Sequence, residues 1–157
     1  LISGIAFTKD EAEVMIKGVK DQPGVAAKIL GPIGEANIEI DMIVQNVGSN
    51  GLADFTFTVS RNTLKKALQV IDKNKKIMMY DSVSSKSNIV KVSIVGVGMR
   101  SHAGIASKMF KCLARNKVNI RMISTSEIKI SVVIDQKNLE LAVKALHNEF
   151  KLEKKKK

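Results

Sequence analysis

Apolar and polar residues alternate from Glu13 to Val19, the pattern of a strand with one buried face. Asp21-Gln22-Pro23-Gly24 reads as a turn, and Val25, Ile29 and Ile33 then recur every four residues, which predicts a helix with one apolar stripe. Pro32 lies within that stripe and lacks the N–H that would bond back to Lys28, so the helix is expected to kink or stop there. Ile38 to Val47 predicts a second strand. The turn Gly48-Ser49-Asn50-Gly51 returns it as Ala53 to Val59, a hairpin in which Phe55, Phe57 and Val59 share a face. Leu64, Ala67, Leu68 and Ile71 mark a second helix, and Ile77 to Tyr80 a last strand. The order is βαββαβ, an antiparallel sheet with two helices on one face.

The pattern occurs twice. At a shift of about 80 residues, Gly24-Val25-Ala26-Ala27-Lys28-Ile29-Leu30 lies over Gly104-Ile105-Ala106-Ser107-Lys108-Met109-Phe110, and Ile40-Asp41-Met42-Ile43 over Ile120-Arg121-Met122-Ile123. The shift then shortens to about 75, which lays Leu64, Ala67, Leu68 and Ile71 over Leu139, Ala142, Val143 and Leu146. The second copy reads as a strand from Ile89 to Val97, a helix from Ala103 to Asn116, strands at Val118 to Ser124 and Ile128 to Ile134, and a helix from Lys137 to Glu149. It then stops short of a fourth strand. Ile2 to Phe7 is a spare strand at the other end, and an unpaired edge is a liability. The reading that follows is an α+β chain of two ferredoxin-like domains in tandem. The first spans residues 13–83 and the second 1–8 plus 88–150, with a basic tail at 151–157, and the N-terminal strand completes the second domain.

Composition removes several classes of function. No apolar run approaches the roughly 20 residues a membrane helix needs, no signal peptide is evident, and the single Cys112 fits a reducing, cytoplasmic setting. Leu1 in place of Met reads as a piece of a longer protein or a processed one. The net charge of +11 invites nucleic acid. Its lysines, however, are spread along helix faces (Lys65, Lys66, Lys73, Lys75, Lys76) and along the tail, as solvated faces are. Phe55 and Phe57 imitate an RNA-stacking pair but lack the Gly- and Lys/Arg-containing motif around them, so packing is the simpler role. His102, His147 and Cys112 suit no metal site.

A βαββαβ unit with Asp-x-Pro-Gly before its first helix resembles the ACT domain, a small-molecule sensing module. The match extends further. Gly4-Ile5-Ala6, Asp21-Gln22-Pro23-Gly24-Val25-Ala26-Ala27 and Ile40-Asp41-Met42-Ile43-Val44-Gln45-Asn46-Val47 resemble the regulatory region of aspartokinases. So do Val95-Gly96-Val97-Gly98-Met99-Arg100-Ser101-His102 and Ile123-Ser124-Thr125-Ser126-Glu127-Ile128. The resemblance implies an allosteric sensor that binds end-product amino acids, threonine and/or lysine, where ACT domains meet, and so feedback-controls phosphorylation of aspartate. ATP and magnesium belong to the family's kinase domain. This chain shows no phosphate loop and no catalytic site, and needs no cofactor of its own. The implied partners are the kinase domain or catalytic subunit and a second copy of this chain, with no membrane, and with nucleic acid disfavoured.

A free amino acid carries a carboxylate, which suits a helix N-terminus. Gly24 lets the backbone come close, and the N–H groups near Val25 and Ala26 are the expected donors. Asp21 is the expected acceptor for the ammonium or a hydroxyl, and Gln45 on the adjacent strand both donates and accepts. The resemblance places the opposite wall at Asn119, Ile120 and Ser126 of another ACT domain. Pseudo-symmetry implies a second pocket at Met99, Ser101, Gly104, Ala106 and Glu127. Lysine-sensing relatives carry an acidic residue where this chain has Arg121, which disfavours a cation there. Two other readings stay open at the level of sequence: an ACT-type sensor of another amino-acid pathway, and a sheet-based RNA binder.

Overall fold

The structure, a computed structural model, describes residues 2–99 and 102–151. The chain forms two compact units. One is Asp10–Ser87. The other combines Leu1–Lys9 with Asn88–Lys157.

The unit Asp10–Ser87 carries the first copy. Its strands run in the order β2 (Ile40–Val47), β3 (Leu52–Val59), β1 (Ile2–Lys20), β4 (Ser82–Gly96), with β1–β3 and β2–β3 antiparallel. Ala12, Val14 and Ile16 of β1 stand opposite Val59, Phe57 and Phe55 of β3. Residues directly opposite share a face, and all six are buried in one core with Ile29 and Ile33 of α1 (Val25–Glu35) and Ala67 and Ile71 of α2 (Leu64–Lys73). Phe55 and Phe57 thus lie beneath the helices, where no base could stack on them.

In the other unit the order is β1, β4, β6 (Lys129–Asp135), β5 (Met122–Thr125), and the first half of β1 supplies the strand missing after the last helix. Val90, Val92 and Ile94 pair with Ile134, Val132 and Ile130, and bury against Met109, Cys112 and Leu113 of α4 (Ala103–Arg115) and Ala142 and Leu146 of α5 (Leu139–Phe150). On the face away from this core, Ser93 and Ser131 form a buried hydroxyl pair, 2.6 Å apart.

Four expectations about elements are corrected. Ile77 to Tyr80 is not a strand. Lys75–Met78 is a short helix, α3, in which the Met78 and Met79 N–H groups donate to the carbonyls of Asn74 and Lys75 at 2.8 and 2.9 Å. Met78 plugs the core and Tyr80 packs half-buried against it, while Ile77 and Met79 are exposed, so an apolar run that suits a strand buries only part of itself. The unit's fourth strand begins later, at Ser82, and continues without a break into the segment predicted from Ile89. Ile2 to Phe7 and Glu13 to Val19 are likewise one strand, β1, with a bulge at Lys17-Gly18 where the register against β3 slips.

The helix containing Pro32 does not stop there. It runs on to Glu35, in register with the end of its twin α4 at Arg115. It is shorter than its twin, as Pro32 predicts, but the two missing residues are at its start, where Pro23-Gly24 stays outside the helix and Ala103-Gly104 is inside. Finally, β2 and β5 begin later than the apolar runs do. Ile38 and Val118 are buried loop residues whose N–H groups return to the carbonyls of Ile33 and Leu113 at 3.2 and 2.9 Å.

Candidate functional site

The first candidate site is built where β1 hands over to α1. Gly24 holds φ 88°, ψ −2°, a left-handed conformation that glycine adopts without strain. That turn lets the Val25 N–H donate to the Gln22 carbonyl at 3.1 Å, so Val25 is already engaged. Lys28 N–H bonds to the Gly24 carbonyl at 3.0 Å, as the helix begins its own ladder. Ala26 and Ala27, both exposed, are the first-turn amides that take no turn bond among the described residues, and they point out of the helix at its positive end. Space around Gly24 is open.

Asp21 is exposed, and its backbone N–H donates to the Gly51 carbonyl at 3.0 Å, which ties the turn to the tip of the β2–β3 hairpin. The cap of α1 is Gly24, which has no side chain to offer the first-turn amides. Gln45 stands opposite Phe55 on β3 and therefore points to the helix-bearing side of the sheet. β2 is the edge strand of this unit and Gln45 is exposed there, with Ile43 and Val47 flanking it on the same side. Asp21, Gly24, Ala26 and Gln45 thus lie in one unit, with an acceptor, a glycine turn and unengaged donors within six residues of chain.

Asn119, Ile120 and Ser126 belong to the other unit. Asn119 is exposed and Ile120 packs against its core. Ser126 organises the β5–β6 turn: its N–H donates to the Lys129 carbonyl at 2.8 Å, and its hydroxyl oxygen accepts from the N–H groups of Ile128 and Lys129 at 3.3 Å.

Of the second set, Met99 is buried and its N–H donates to the Glu127 carbonyl at 2.8 Å, which joins the α4 approach to the same turn. Gly104 and Ala106 sit in the first turn of α4, and Ser101 lies outside the described residues. The His102 ring nitrogen Nδ1 bonds the Gly98 carbonyl at 2.6 Å. His102 is therefore part of the approach to the helix rather than an open ligand.

Thr125, part of the motif Ile123 to Ile128 but not counted among the site residues, takes the place in the second copy that Gln45 takes in the first. The shift that lays Ile43 over Ile123 also lays Gln45 over Thr125. Thr125 stands opposite Ile130 of the core, exposed, on the helix-bearing side of the edge strand β5. The signal was present in the repeat.

Burial raises the Cys112 thiol pKa above its ordinary value. Glu149 adds to the shift and Arg115 opposes it. Among the described residues, no three His, Cys, Asp or Glu side chains are placed to share a metal ion, and no helix is long and apolar enough to cross a membrane.

ACT-domain family models match residues 13–75 and 92–150. An aspartate kinase of Stutzerimonas stutzeri is 61% identical over 98% of this chain, which spans 37% of that protein's length. Among solved structures, the chain is similar to one of aspartokinase alpha and beta subunits, with TM-score 0.91 and 48% identity over 96% of this chain and 99% of that one. It is also similar to the ligand-free regulatory subunit of aspartate kinase from Thermus thermophilus, with TM-score 0.90 and 36% identity over 95% and 98%.

Proposed function

We propose that this chain, which belongs to the aspartokinase family as its tandem ACT-domain regulatory region, binds threonine at the start of α1. It thereby feedback-controls the phosphorylation of aspartate by a catalytic part to which it is joined or bound. The observation that carries this reading is the exposed Asp21, in the turn that ends at the left-handed Gly24, two residues before the exposed Ala26 and Ala27 amides that take no turn bond among the described residues. The amides and the helix dipole take the ligand carboxylate. Asp21 takes the ammonium. Gln45, which can donate and accept, takes the ligand hydroxyl.

Such a site is open on one side. A homodimer closes it when Asn119, Ile120 and Ser126 of the second copy form the opposing wall, and two-fold symmetry makes that contact reciprocal. The second pocket, at Met99, Gly104, Ala106 and Glu127, binds lysine weakly or not at all, because Arg121 stands where lysine-sensing relatives carry an acidic residue. A lysine response is then seen mainly with threonine present.

Calorimetry tests the assignment. Asp21→Ala removes a charge-assisted contact of roughly 1.5 to 3 kcal/mol, about a tenfold to hundredfold loss of threonine affinity. An unchanged affinity for threonine overturns the site. In the intact enzyme the same change relieves inhibition, since an effector shifts an equilibrium only by its differential affinity.

A further inference from the structure

Asn50 is the only asparagine of this chain that is followed by glycine. The pair sits at the tip of the β2–β3 hairpin, where residues 48–51 are all exposed. Gly51 holds φ 78°, a conformation glycine adopts freely, which is why Asn-Gly suits a hairpin turn. The Asn50 side chain folds back over its own turn. Its Oδ1 accepts from the Leu52 N–H at 3.1 Å and lies 2.8 Å from where a Cβ on Gly48 would stand.

This arrangement favours a reaction within the turn. Folding back brings the Asn50 side-chain carbonyl carbon, Cγ, toward the Gly51 nitrogen, and proximity of that kind lowers a barrier. The Leu52 N–H already points at Oδ1, where negative charge develops when Cγ is attacked. No Cβ at position 51 blocks the approach, and the space around Gly51 is open. One bond opposes it. The Gly51 N–H donates to the Gly48 carbonyl, but at 3.2 Å this is the longest of the bonds within the turn.

We propose that Asn50 is a site of spontaneous modification, at which water replaces the side-chain amide to give aspartate or isoaspartate and the turn at Asp21 is untied. The Gly51 nitrogen gives its proton to water or hydroxide and bonds to Asn50 Cγ. The Cγ–Nδ2 bond breaks and ammonia leaves. Water then opens the five-membered imide. Breaking the new N–Cγ bond gives aspartate. Breaking the original main-chain bond gives isoaspartate, whose main chain runs through Cβ and is longer by one methylene. The Gly51 carbonyl accepts the Asp21 N–H at 3.0 Å, so lengthening the chain just before Gly51 displaces the group that holds Asp21. The matching turn of the second copy is built on Ser126, which has no amide to lose. A loss of threonine affinity on modification rests on the effector reading above. The chemistry at Asn50 does not.

The test incubates the full chain in neutral buffer and follows it by peptide mapping that separates asparagine, aspartate and isoaspartate at position 50. Asn50 is expected to convert ahead of every other asparagine, and no more slowly than in the same chain unfolded in guanidinium chloride. Asn50→Gln should block it, since that side chain would have to close a six-membered ring. The isoaspartate form, separated by ion exchange, should exchange its Asp21 amide hydrogen at least about tenfold faster than the fresh chain. Asn50→Asp, which adds the charge without lengthening the chain, should keep that amide protected. Two outcomes overturn the proposal: a folded chain that retains Asn50 while the unfolded chain loses it, or an isoaspartate form whose Asp21 amide is as protected as before. Threonine affinity of the fresh chain tests the effector reading alone, so the two readings fail separately.

Discussion

Asn37 and Lys117 occupy the same left-handed backbone conformation, with φ of 62° and 58°, at matching positions two residues past the ends of α1 and α4. Each N–H donates back into its helix, to Gly34 at 2.9 Å and to Ala114 at 3.0 Å, and the next residue donates five residues back, to Ile33 at 3.2 Å or Leu113 at 2.9 Å. This is a helix stop built on a residue that bends left. Asparagine tolerates that bend, but lysine pays about 1 kcal/mol or more for it. Lys117→Gly is therefore expected to stabilise the chain by about 0.5 to 1 kcal/mol, and Asn37→Gly by less. Urea unfolding midpoints compare them, and a Lys117→Gly protein that unfolds earlier than the wild type rejects the account.

Gly18 sits in the β1 bulge with φ 77°, and a Cβ there would lie 2.1 Å from Asp81 Oδ2. Its N–H donates to Asp54 Oδ1 at 3.0 Å. Gly18→Ala is expected to cost on the order of 2 to 3 kcal/mol, of which left-handed strain is about 1 to 2. A double-mutant cycle with Asp81→Gly should recover the steric part and leave the backbone part. Full additivity of the two changes would mean that Asp81 is not the obstruction.

Pro32 lies inside α1 without ending it. It still deprives the Lys28 carbonyl of its helical partner. Pro32→Ala is expected to raise stability by roughly 1 to 2 kcal/mol, less than the full proline penalty because the residue is in the last turn and alanine gives the unfolded chain more freedom. A fall in the thermal midpoint would show that the proline ring is worth more to the packing than the missing bond.

Cys112 is 2% exposed, and burial raises its thiol pKa. Protonation thus favours the folded state. That contribution is fully present below the unfolded thiol pKa of about 8.5 and is lost as pH rises through the higher folded value. Tyr80, also raised, by burial and then by Asp72, works in the same direction at more alkaline pH. Cys112→Ala is expected to lose less stability than the wild type between neutral and alkaline pH, and the native thiol should alkylate roughly a hundredfold more slowly than the unfolded one. Rapid alkylation of the native protein at neutral pH counts against a sealed thiol.

The repeat, the apolar stripe Val25, Ile29, Ile33 and the buried face Phe55, Phe57, Val59 were all legible in the chain, because periods of 3.6 and 2 are set by the helix and the strand themselves. So was the turn at Asp21–Gly24, since few residues adopt the left-handed conformation Gly24 holds. Tertiary structure decided what local pattern leaves ambiguous. Ile77 to Tyr80 has a strand's composition, but Lys75–Met78 turns as a helix that buries Met78, with Tyr80 half-buried against the same core, and β4 begins after it. β1 and β4 each run through a boundary between units, which no local period marks. Which first-turn amides take no turn bond at α1, and how Asp21 is held in the turn before them, depends on a hydrogen bond from Val25 to Gln22 and on the hold of Gly51 on Asp21. Those bonds are set by dihedral angles and by contacts between residues distant in sequence, and hydrophobic periodicity carries no record of either.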